Sequence, residues 1–318
     1  MSRLRLGTRG SRLATTQSEW VVRRLREQSP AIEVDLVEIQ TTGDRIRDVP
    51  LGPHLGQSFF TKEIEVALLE GRIDLAVHSL KDLATVMTPG LCLAAVPVRE
   101  DPRDALVSAA GTLREIPAGA RVGTSSPRRK GFLAVARPDL VVQDQRGNVP
   151  TRLRAVDDGS ADAVILALAG LRRLGLAHRV TETLDPDVML PAAAQGALAL
   201  QIRADDASTR AAVAWLDDVE SRARVTAERA CLRTLEAGCQ APVGALARVD
   251  GHELSLSAAI VTPEEVVRVE ERGAVGCAEA VGAAAAGVLL ARLGLSSLRD
   301  ATWAGVAPER SSAPGGNP

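Results

Sequence analysis

Short apolar runs alternate with amphipathic segments through the first two-thirds of the chain. The apolar runs predict strands, and they cover residues 4–8, 32–40, 73–78, 91–97, 120–123, 140–144, 163–167 and 197–203. The amphipathic segments predict helices, and they cover residues 11–27, 61–70, 127–135, 151–158 and 168–174. This alternation is typical of α/β domains with mainly parallel sheets.

Two polar stretches, residues 99–104 and 190–196, interrupt this region. Because they flank a middle segment with its own strands and helices, we expect the chain to leave its first domain and later return to it. From residue 218 the pattern changes to a helix, three short strands and an apolar helix, which predicts a smaller α+β domain. The predicted division is domain 1, residues 1–98 plus 197–217; domain 2, residues 99–196; domain 3, residues 218–307; and a disordered tail, residues 308–318.

Charge and composition narrow the classes of function. The 318 residues carry a formal net charge of -2, and aromatic residues make up only 2%, with no tyrosine. A nucleic-acid-binding protein normally has a basic excess and aromatic side chains for stacking. We therefore expect no nucleic-acid partner, and any basic site must be local.

Cysteine usage indicates a reducing compartment. Cys92, Cys231, Cys239 and Cys277 have no zinc-like spacing with one another or with the four histidines, so we expect no metal site. Such scattered cysteines are typical of a cytoplasmic protein.

No segment predicts targeting to or across a membrane. The first residues lack the apolar run of a signal peptide. The most apolar stretch, residues 273–293, contains Glu279 and Arg292 and is interpreted as a buried helix. We therefore expect no membrane partner.

Arginines and hydroxyl groups follow three predicted strands of the middle segment. Residues 123–129 read Gly-Thr-Ser-Ser-Pro-Arg-Arg and open a helix, whose free N–H groups favour anions. Residues 146–152 and 166–173 repeat the arrangement after the next two strands. Since ligands of open α/β sheets bind beyond the carboxyl ends of the strands, these loops predict one basic rim that binds carboxylates. The alternative is a set of helix caps with solvated arginines.

Polar groups also follow strands of the first unit, at residues 8–11, 41–44 and 76–82. An aspartate after a strand is most often a helix cap, but Asp82 facing a cationic cleft could stay ionised and stabilise a substrate cation. His78 is interpreted as a structural residue. Cys239 lies in a loop between Gly238 and a Pro-Gly run, where a thiol could hold a covalent tether.

Five motifs, in order along the chain, resemble those of the porphobilinogen deaminase family, also called hydroxymethylbilane synthase. The resemblance extends from about residue 4 to about residue 304. The motifs are residues 77–82 (Val-His-Ser-Leu-Lys-Asp), 123–129, 146–148 (Arg-Gly-Asn), 190–196 (Leu-Pro-Ala-Ala-Ala-Gln-Gly) and 236–239 (Glu-Ala-Gly-Cys).

The resemblance implies an enzyme, a cytoplasmic monomeric transferase of tetrapyrrole and heme biosynthesis. The family joins four porphobilinogen units head to tail with release of ammonia, and hydrolysis then frees linear hydroxymethylbilane. Its dipyrromethane cofactor is a covalent primer, attached by a thioether that the resemblance assigns to Cys239. The implied fold is two periplasmic-binding-protein-like domains, doubly wound with mainly parallel sheets, plus a smaller C-terminal α+β domain.

The resemblance also assigns site residues. Asp82 falls on the catalytic aspartate, and Phe60 falls where an aromatic side chain lies over the site. The cofactor- and substrate-binding positions fall on Arg9, Ser11, Asp44, Phe60, Ser79, Lys81, Thr124, Ser125, Ser126, Arg128, Arg129, Arg146, Gly147, Asn148, Arg152, Leu166, Ala167, Arg173 and Gln195.

Two lysines that many relatives carry in the loop after the second strand are replaced here by Pro53 and Gln57. That substitution puts in doubt any ionic role for this loop. The implied partners are porphobilinogen and, transiently, uroporphyrinogen-III synthase.

Other functions stay open from the residues alone. A two-domain solute-binding protein would have a similar fold over the first two units, without catalysis. A cysteine-nucleophile enzyme would need a histidine near Cys239, and His252 lies on a predicted strand without a clear partner.

Overall fold

The computed structural model of the protein describes residues 3–42, 61–237, 241–263 and 265–299. Asp44, Pro53, Gln57, Phe60, Cys239 and the tail 308–318 lie outside these residues. The strands are β1 (Arg3–Thr8), β2 (Glu33–Glu38), β3 (Leu75–Ser79), β4 (Leu91–Ala95), β5 (Asp104–Ser108), β6 (Arg121–Gly123), β7 (Val141–Gln143), β8 (Ala163–Ala167), β9 (Glu182–Thr183), β10 (Leu198–Arg203), β11 (Val243–Asp250), β12 (Glu253–Val261) and β13 (Val266–Ala274). The α-helices are α1 (Arg12–Gln28), α2 (Lys62–Leu69), α3 (Pro127–Ala136), α4 (Val149–Asp157), α5 (Leu168–Arg173), α6 (Ala207–Val213), α7 (Val219–Thr234) and α8 (Ala278–Leu293).

Two five-stranded sheets share one topology. The first has the order β2-β1-β3-β10-β4 and the second has the order β7-β6-β8-β5-β9. In the first, β1 pairs parallel with β2 and β3, whereas β10 pairs antiparallel with β3 and β4. In the second, β6 pairs parallel with β7 and β8, whereas β5 pairs antiparallel with β8 and β9. Each sheet is therefore mixed, because the strand that crosses over from the other unit runs against its neighbours.

Both faces of each sheet are covered, which explains the continuous apolar runs. Alternate residues of β3 point to opposite faces, so Leu75 and Val77 join one core and Ala76 joins another. In β8, Ile165 and Leu166 divide in the same way between two cores of the second sheet.

Side-chain caps begin the helices that leave these sheets. Ser11 accepts from Ala14 N at α1, Ser126 accepts from Arg129 N at α3, and Asn148 accepts from Thr151 N at α4. Proline in the first turn of α3 and α4 suits a helix start because its missing N–H would have no partner there.

The C-terminal unit is the antiparallel sheet β11-β12-β13 with α7 and α8 packed on it. Residues Val275–Leu293 are long and apolar enough to cross a membrane, but Val281, Ala285 and Leu289 pack in the core of this unit, as expected for a buried helix. The helices approach closely at Gly282, where a Cβ would lie 2.2 Å from the Ala227 carbonyl oxygen.

The C-terminal unit contacts both α/β units. Leu246 and Val261 of its sheet pack with Phe132 of the second unit. Val225 of α7 packs with Leu80 and Leu83 of the first unit. The C-terminal unit thus packs against both of the other units.

Among the strands and α-helices of the described residues, three are absent from the sequence-based prediction. The polar stretch 99–104 predicts a crossover, but its last residue, Asp104, begins β5. The two-residue strand β9 and the seven-residue helix α6 are too short for a hydrophobic period to reveal.

Candidate active site

The residues assigned to the site come from both α/β units and from residues 190–196, called here the second linker; residues 99–104 are called the first linker. The turn Leu80–Asp82, a 3-10 helix directly after β3, carries Lys81 and Asp82. Its first N–H, on Leu80, donates to the Ala197 carbonyl oxygen at 3.0 Å. Both polar side chains are exposed to solvent. Burial lowers the pKa of Lys81 and of Arg152, which belongs to the second unit, and the nearby Asp82 carboxylate opposes that lowering in both. Asp82 therefore lies in the cleft between the units.

Lys81 is held by a residue of the second linker. Its Nζ donates to Gln195 Oε1 at 3.0 Å. Although solvent reaches the side chain, protein atoms of both units crowd it, and this burial lowers the pKa of Lys81 to about 8 against the opposing effect of Asp82. Lys81 is thus a cation that loses its proton more readily than an ordinary lysine.

Gln195 joins three parts of the chain. Its Nε2 donates to the Pro102 carbonyl oxygen at 2.7 Å and to Asp104 Oδ1 at 2.9 Å, while its Oε1 accepts from Lys81. The residue is buried, so these bonds fix its amide in one orientation. It connects the turn of Asp82 to the first strand of the second unit.

Arg128 and Arg129 are buried against Asp104, a residue that no sequence motif indicates. Arg129 Nη2 and Nε donate to Asp104 Oδ1 at 2.7 and 3.0 Å. Arg128 Nη1 donates to the Leu190 carbonyl oxygen at 2.6 Å, so its 2.7 Å contact with Asp104 Oδ2 is an ion pair rather than an aligned hydrogen bond. Burial alone would raise the pKa of Asp104, but the two guanidinium groups hold it well below its usual range. Two cations against one carboxylate leave a net positive charge.

Arg152 and Arg173 are half-buried, and each bonds to a main-chain carbonyl group. Arg152 Nε donates to the Gly147 oxygen at 2.9 Å, and Arg173 Nη2 donates to the Gly196 oxygen at 2.6 Å. Burial lowers the pKa of both to about 10, so both are cationic at neutral pH. Each keeps further N–H groups beyond these bonds.

Arg9 and Arg146 lie at the edges of the same region. Arg9 is half-buried after β1, and its charge helps to lower the pKa of His78. Arg146 is exposed in the loop after β7, next to exposed Gly147 and Asn148. The Asn148 side chain caps α4, with its Oδ1 accepting from Thr151 N at 3.0 Å.

The hydroxyl groups at the start of α3 have unequal roles. Thr124 Oγ1 accepts from Ser126 N at 3.3 Å, and Ser126 caps the helix. Ser125 Oγ is buried without a hydrogen-bond partner among the described residues, as is Arg128 Nε nearby on α3. A buried polar atom without a partner costs free energy, so these two donors fit an acidic ligand at this helix start.

The remaining assigned residues are supporting. Ser11 caps α1, and Ser79 Oγ accepts from Gln17 Nε2 at 3.0 Å. The Leu166 side chain packs in a core and offers no polar group, whereas half-buried Ala167 lies at the end of β8.

His78 is a buried structural residue on β3, as interpreted from the sequence. Its Nε2 lies 3.0 Å from Gln201 Oε1, and Gln201 Nε2 donates to Glu65 Oε1 at 2.8 Å. Because an amide oxygen only accepts, Nε2 carries the proton. Burial lowers the pKa of His78 to about 4, so the ring is neutral.

Glu228 of α7 holds both linkers behind the cleft. Its two carboxylate oxygens accept from Arg99 Nη1 at 2.7 Å and Nη2 at 2.9 Å, from Ala194 N at 2.6 Å and from Ala247 N at 2.8 Å. Arg99 Nε also donates to the Gln195 carbonyl oxygen at 2.8 Å. After Gln195 the chain turns at Gly196, with φ +90°, where a Cβ would lie 2.3 Å from the Glu100 oxygen. No sequence motif indicates a special role for Glu228, because a glutamate in an amphipathic helix is ordinarily an exposed residue.

Two family models match the chain. The model "Porphobilinogen deaminase, dipyromethane cofactor binding domain" matches residues 4–211, and the model "Porphobilinogen deaminase, C-terminal domain" matches residues 222–291. The chain belongs to the porphobilinogen deaminase family. It is therefore an enzyme of tetrapyrrole biosynthesis with a dipyrromethane cofactor, and not the solute-binding protein that the residues alone left open.

Curated relatives agree with the family match over nearly the full chain. The porphobilinogen deaminase of Pelobacter propionicus is 48% identical over 299 residues, 93% of this chain and 96% of that one. The porphobilinogen deaminase of Syntrophotalea carbinolica is 48% identical over 92% of this chain and 93% of that one. The porphobilinogen deaminase of Desulforudis audaxviator is 49% identical over 87% of this chain and 91% of that one.

Solved structures of binding domains match part of the chain at low identity. The methionine-binding protein MetQ is 14% identical, with a TM-score of 0.43 over 67% of this chain and 89% of that one. The BenM effector-binding domain with its effector benzoate is 19% identical, with a TM-score of 0.40 over 66% of this chain and 86% of that one. The porphobilinogen deaminase family member described here has two α/β units of one sheet topology and a smaller C-terminal unit.

Proposed function

We propose that the chain joins four porphobilinogen units head to tail, with Asp82 as the catalytic residue, and releases hydroxymethylbilane. The observation that carries the proposal is the Asp82 carboxylate in a cleft between Lys81 and Arg152, with the buried Arg128–Arg129 pair beside it. Each pyrrole brings two carboxylates, so a growing product accumulates negative charge. Fixed arginines offset that charge locally although the whole chain is not basic.

The chemistry needs one carboxylate among many cations. Ammonia leaves the aminomethyl carbon of porphobilinogen with its bonding electrons, which leaves a methylene-pyrrole cation. The Asp82 carboxylate stabilises this cation by charge and by accepting from the pyrrole N–H. A ring carbon of the preceding pyrrole forms the new carbon–carbon bond and loses its proton. Hydrolysis of the last bond to the primer releases the product.

The residues fit an acidic, covalently held dipyrromethane. We propose attachment at Cys239, which follows α7 and lies outside the described residues. The chemistry that the cofactor supplies is a nucleophilic pyrrole carbon on a tether, which makes each coupling effectively intramolecular. Ser125, Arg152 and Arg173 offer donors to its carboxylates, supported by the unpartnered hydroxyl group of Ser125. Contacts from Asp44, Phe60 and the other assigned residues complete the proposal.

The division into domains is part of the same proposal: residues 1–98 plus 197–217, residues 99–196 and residues 218–307. It is supported by β10, which lies between β3 and β4 in the first sheet. We also propose a cytoplasmic monomer with a transient hand-off of product to uroporphyrinogen-III synthase. A coupled assay tests the hand-off by comparing the rate of uroporphyrinogen-III synthase in the same compartment as this enzyme with its rate when a membrane separates the two enzymes. Equal rates would contradict the hand-off.

Intact mass and turnover test the assignment together. The folded enzyme should weigh more than its sequence by a two-pyrrole unit, and Cys239→Ala should lose that increment. Asp82→Asn should keep the increment but turn over much more slowly, because the positive charge of the cation is no longer offset. An active enzyme with only the mass of its amino acids would refute the attachment, and wild-type turnover in Asp82→Asn would refute the catalytic role.

A further inference from the structure

Arg229 of α7 reaches from the C-terminal unit to the turn that carries Asp82. Its Nη1 donates to the Leu83 carbonyl oxygen at 3.0 Å and more weakly to the Leu80 oxygen at 3.5 Å, and its Nη2 donates to the Ala84 oxygen at 2.6 Å. Within the part of the chain that the structure describes, these recorded acceptors are all main-chain carbonyl groups. Asp82 lies between two of the residues whose carbonyl groups Arg229 binds.

The turn needs such a donor. Residues 83–90 have no regular secondary structure before β4, so carbonyl groups there lack the partners that a helix or sheet supplies. Arg229 is buried, with 8% of its surface exposed, and burial together with nearby Arg233 lowers its pKa to about 10. It therefore stays cationic at neutral pH. A rigid, charged fork that binds several carbonyl groups fixes their relative positions.

Packing supports the same contact. Val225, one helical turn before Arg229 on α7, lies in the apolar cluster that contains Leu80 and Leu83. The turn is thus held from behind by α7 and on its first N–H by the Ala197 carbonyl group. Only the side chains of Lys81 and Asp82 remain directed to solvent in the cleft.

We propose that Arg229 is a positioning residue for Asp82, so that the C-terminal unit sets the place of the catalytic carboxylate without touching substrate. The proposal rests on the catalytic role proposed for Asp82. It assigns to α7 a part in the reaction beyond joining the units.

The variants are Arg229→Gln and Arg229→Lys, with Arg222→Gln as the matched control. Arg222 lies on the same helix seven residues earlier and donates to the Ala94 carbonyl oxygen of the first unit at 3.1 Å, but not to the turn. In Arg229→Gln we expect kcat to fall by about 10- to 100-fold with KM nearly unchanged, because displacing a catalytic group by about 1 Å can cost that much. Arg229→Lys, which keeps a charged donor, should recover part of kcat, and Arg222→Gln should keep the wild-type kcat.

A double-mutant cycle with Asp82→Glu separates positioning from general destabilisation. Asp82→Glu already moves the carboxylate, so adding Arg229→Gln should lower kcat by less than about threefold. A full additional loss in that background, or equal losses of kcat in Arg229→Gln and Arg222→Gln, would overturn the proposal. If Arg229→Gln does not fold with its cofactor by intact mass, the same cycle is run with Arg229→Lys. Wild-type kcat in Asp82→Glu alone would instead refute the catalytic role of Asp82.

Discussion

Glu228→Gln tests whether the buried contact behind the cleft holds the units together. The two oxygens of Glu228 accept four N–H groups, two of them from Arg99, and the ion-paired side chains are only 2% and 0% exposed. Glutamine has the same shape as glutamate, but its NH₂ group is a donor. It would face N–H groups that are also donors, so no hydrogen bond could form between them. Arg99 would then keep a buried charge without a full counter-charge.

Removing one partner of a buried ion pair costs about 3–5 kcal/mol. At about 2–4 °C per kcal/mol for domains of 150–250 residues, the melting temperature should fall by roughly 6–20 °C. The melting temperature is measured by circular dichroism during thermal unfolding. Intact mass checks that the variant and the wild-type protein have the same cofactor content.

Glu220→Gln is the matched control on the same helix. Glu220 pairs with Arg224 at the exposed side of α7, where an ion pair contributes about 0–1 kcal/mol. It should therefore shift the melting temperature by only about 0–4 °C. A shift in Glu228→Gln no larger than in this control would refute the argument that the buried pair secures the linkers.

Two further predictions concern Lys81 and the helix contact at Gly282. The pKa of Lys81 is about 8 in the folded enzyme and 10.5 ordinarily, so between these pH values the unfolded chain binds more protons and this group makes stability rise with pH. Lys81→Arg should remove this rise in stability and extend activity to higher pH. Identical pH profiles of the two proteins would contradict a role for the charge of Lys81. Gly282→Ala should destabilise the folded protein, because the new Cβ would lie 2.2 Å from the Ala227 carbonyl oxygen. The control, Gly287→Ala, adds a Cβ in open space at an exposed position of the same helix and should stabilise the protein by up to about 1 kcal/mol. Equal shifts of the melting temperature, of one sign, would show that the contact between α7 and α8 can relax.

Periodicity along the chain predicted most regular elements because burial on both sheet faces imposes it. The stretch 273–293, interpreted as a buried helix, contains α8, and the predicted strand 163–167 is β8. Asp104 was placed in a crossover because it ends a polar run, although its backbone begins β5. A single charged residue at a strand start carries no periodic signal, so its strand was missed.

The candidate site was predicted by residue type and motif, whereas its internal partners were not. Arg128 and Arg129 were expected to face substrate carboxylates, and the structure adds that Asp104 binds both of them. That partner lies 24 residues before Arg128 in the chain, and only the pairing of β5 with β8 brings it near. Glu228 and Arg229 bind main-chain groups of distant segments, Glu228 together with the Arg99 side chain, and contacts with main-chain groups leave no pattern in the sequence of side chains.

The exchange of β5 and β10 between the two sheets has a consequence for biosynthesis. A ribosome that has released only the first hundred residues has made β1 to β4 but not β10, which separates β3 from β4. The first sheet therefore cannot close until residue 203 has left the exit tunnel, by which time the second unit is complete in sequence. During that interval the nascent chain must keep the unpaired edges of β3 and β4 apart. A premature stop between the two linkers yields a fragment whose first sheet lacks β10.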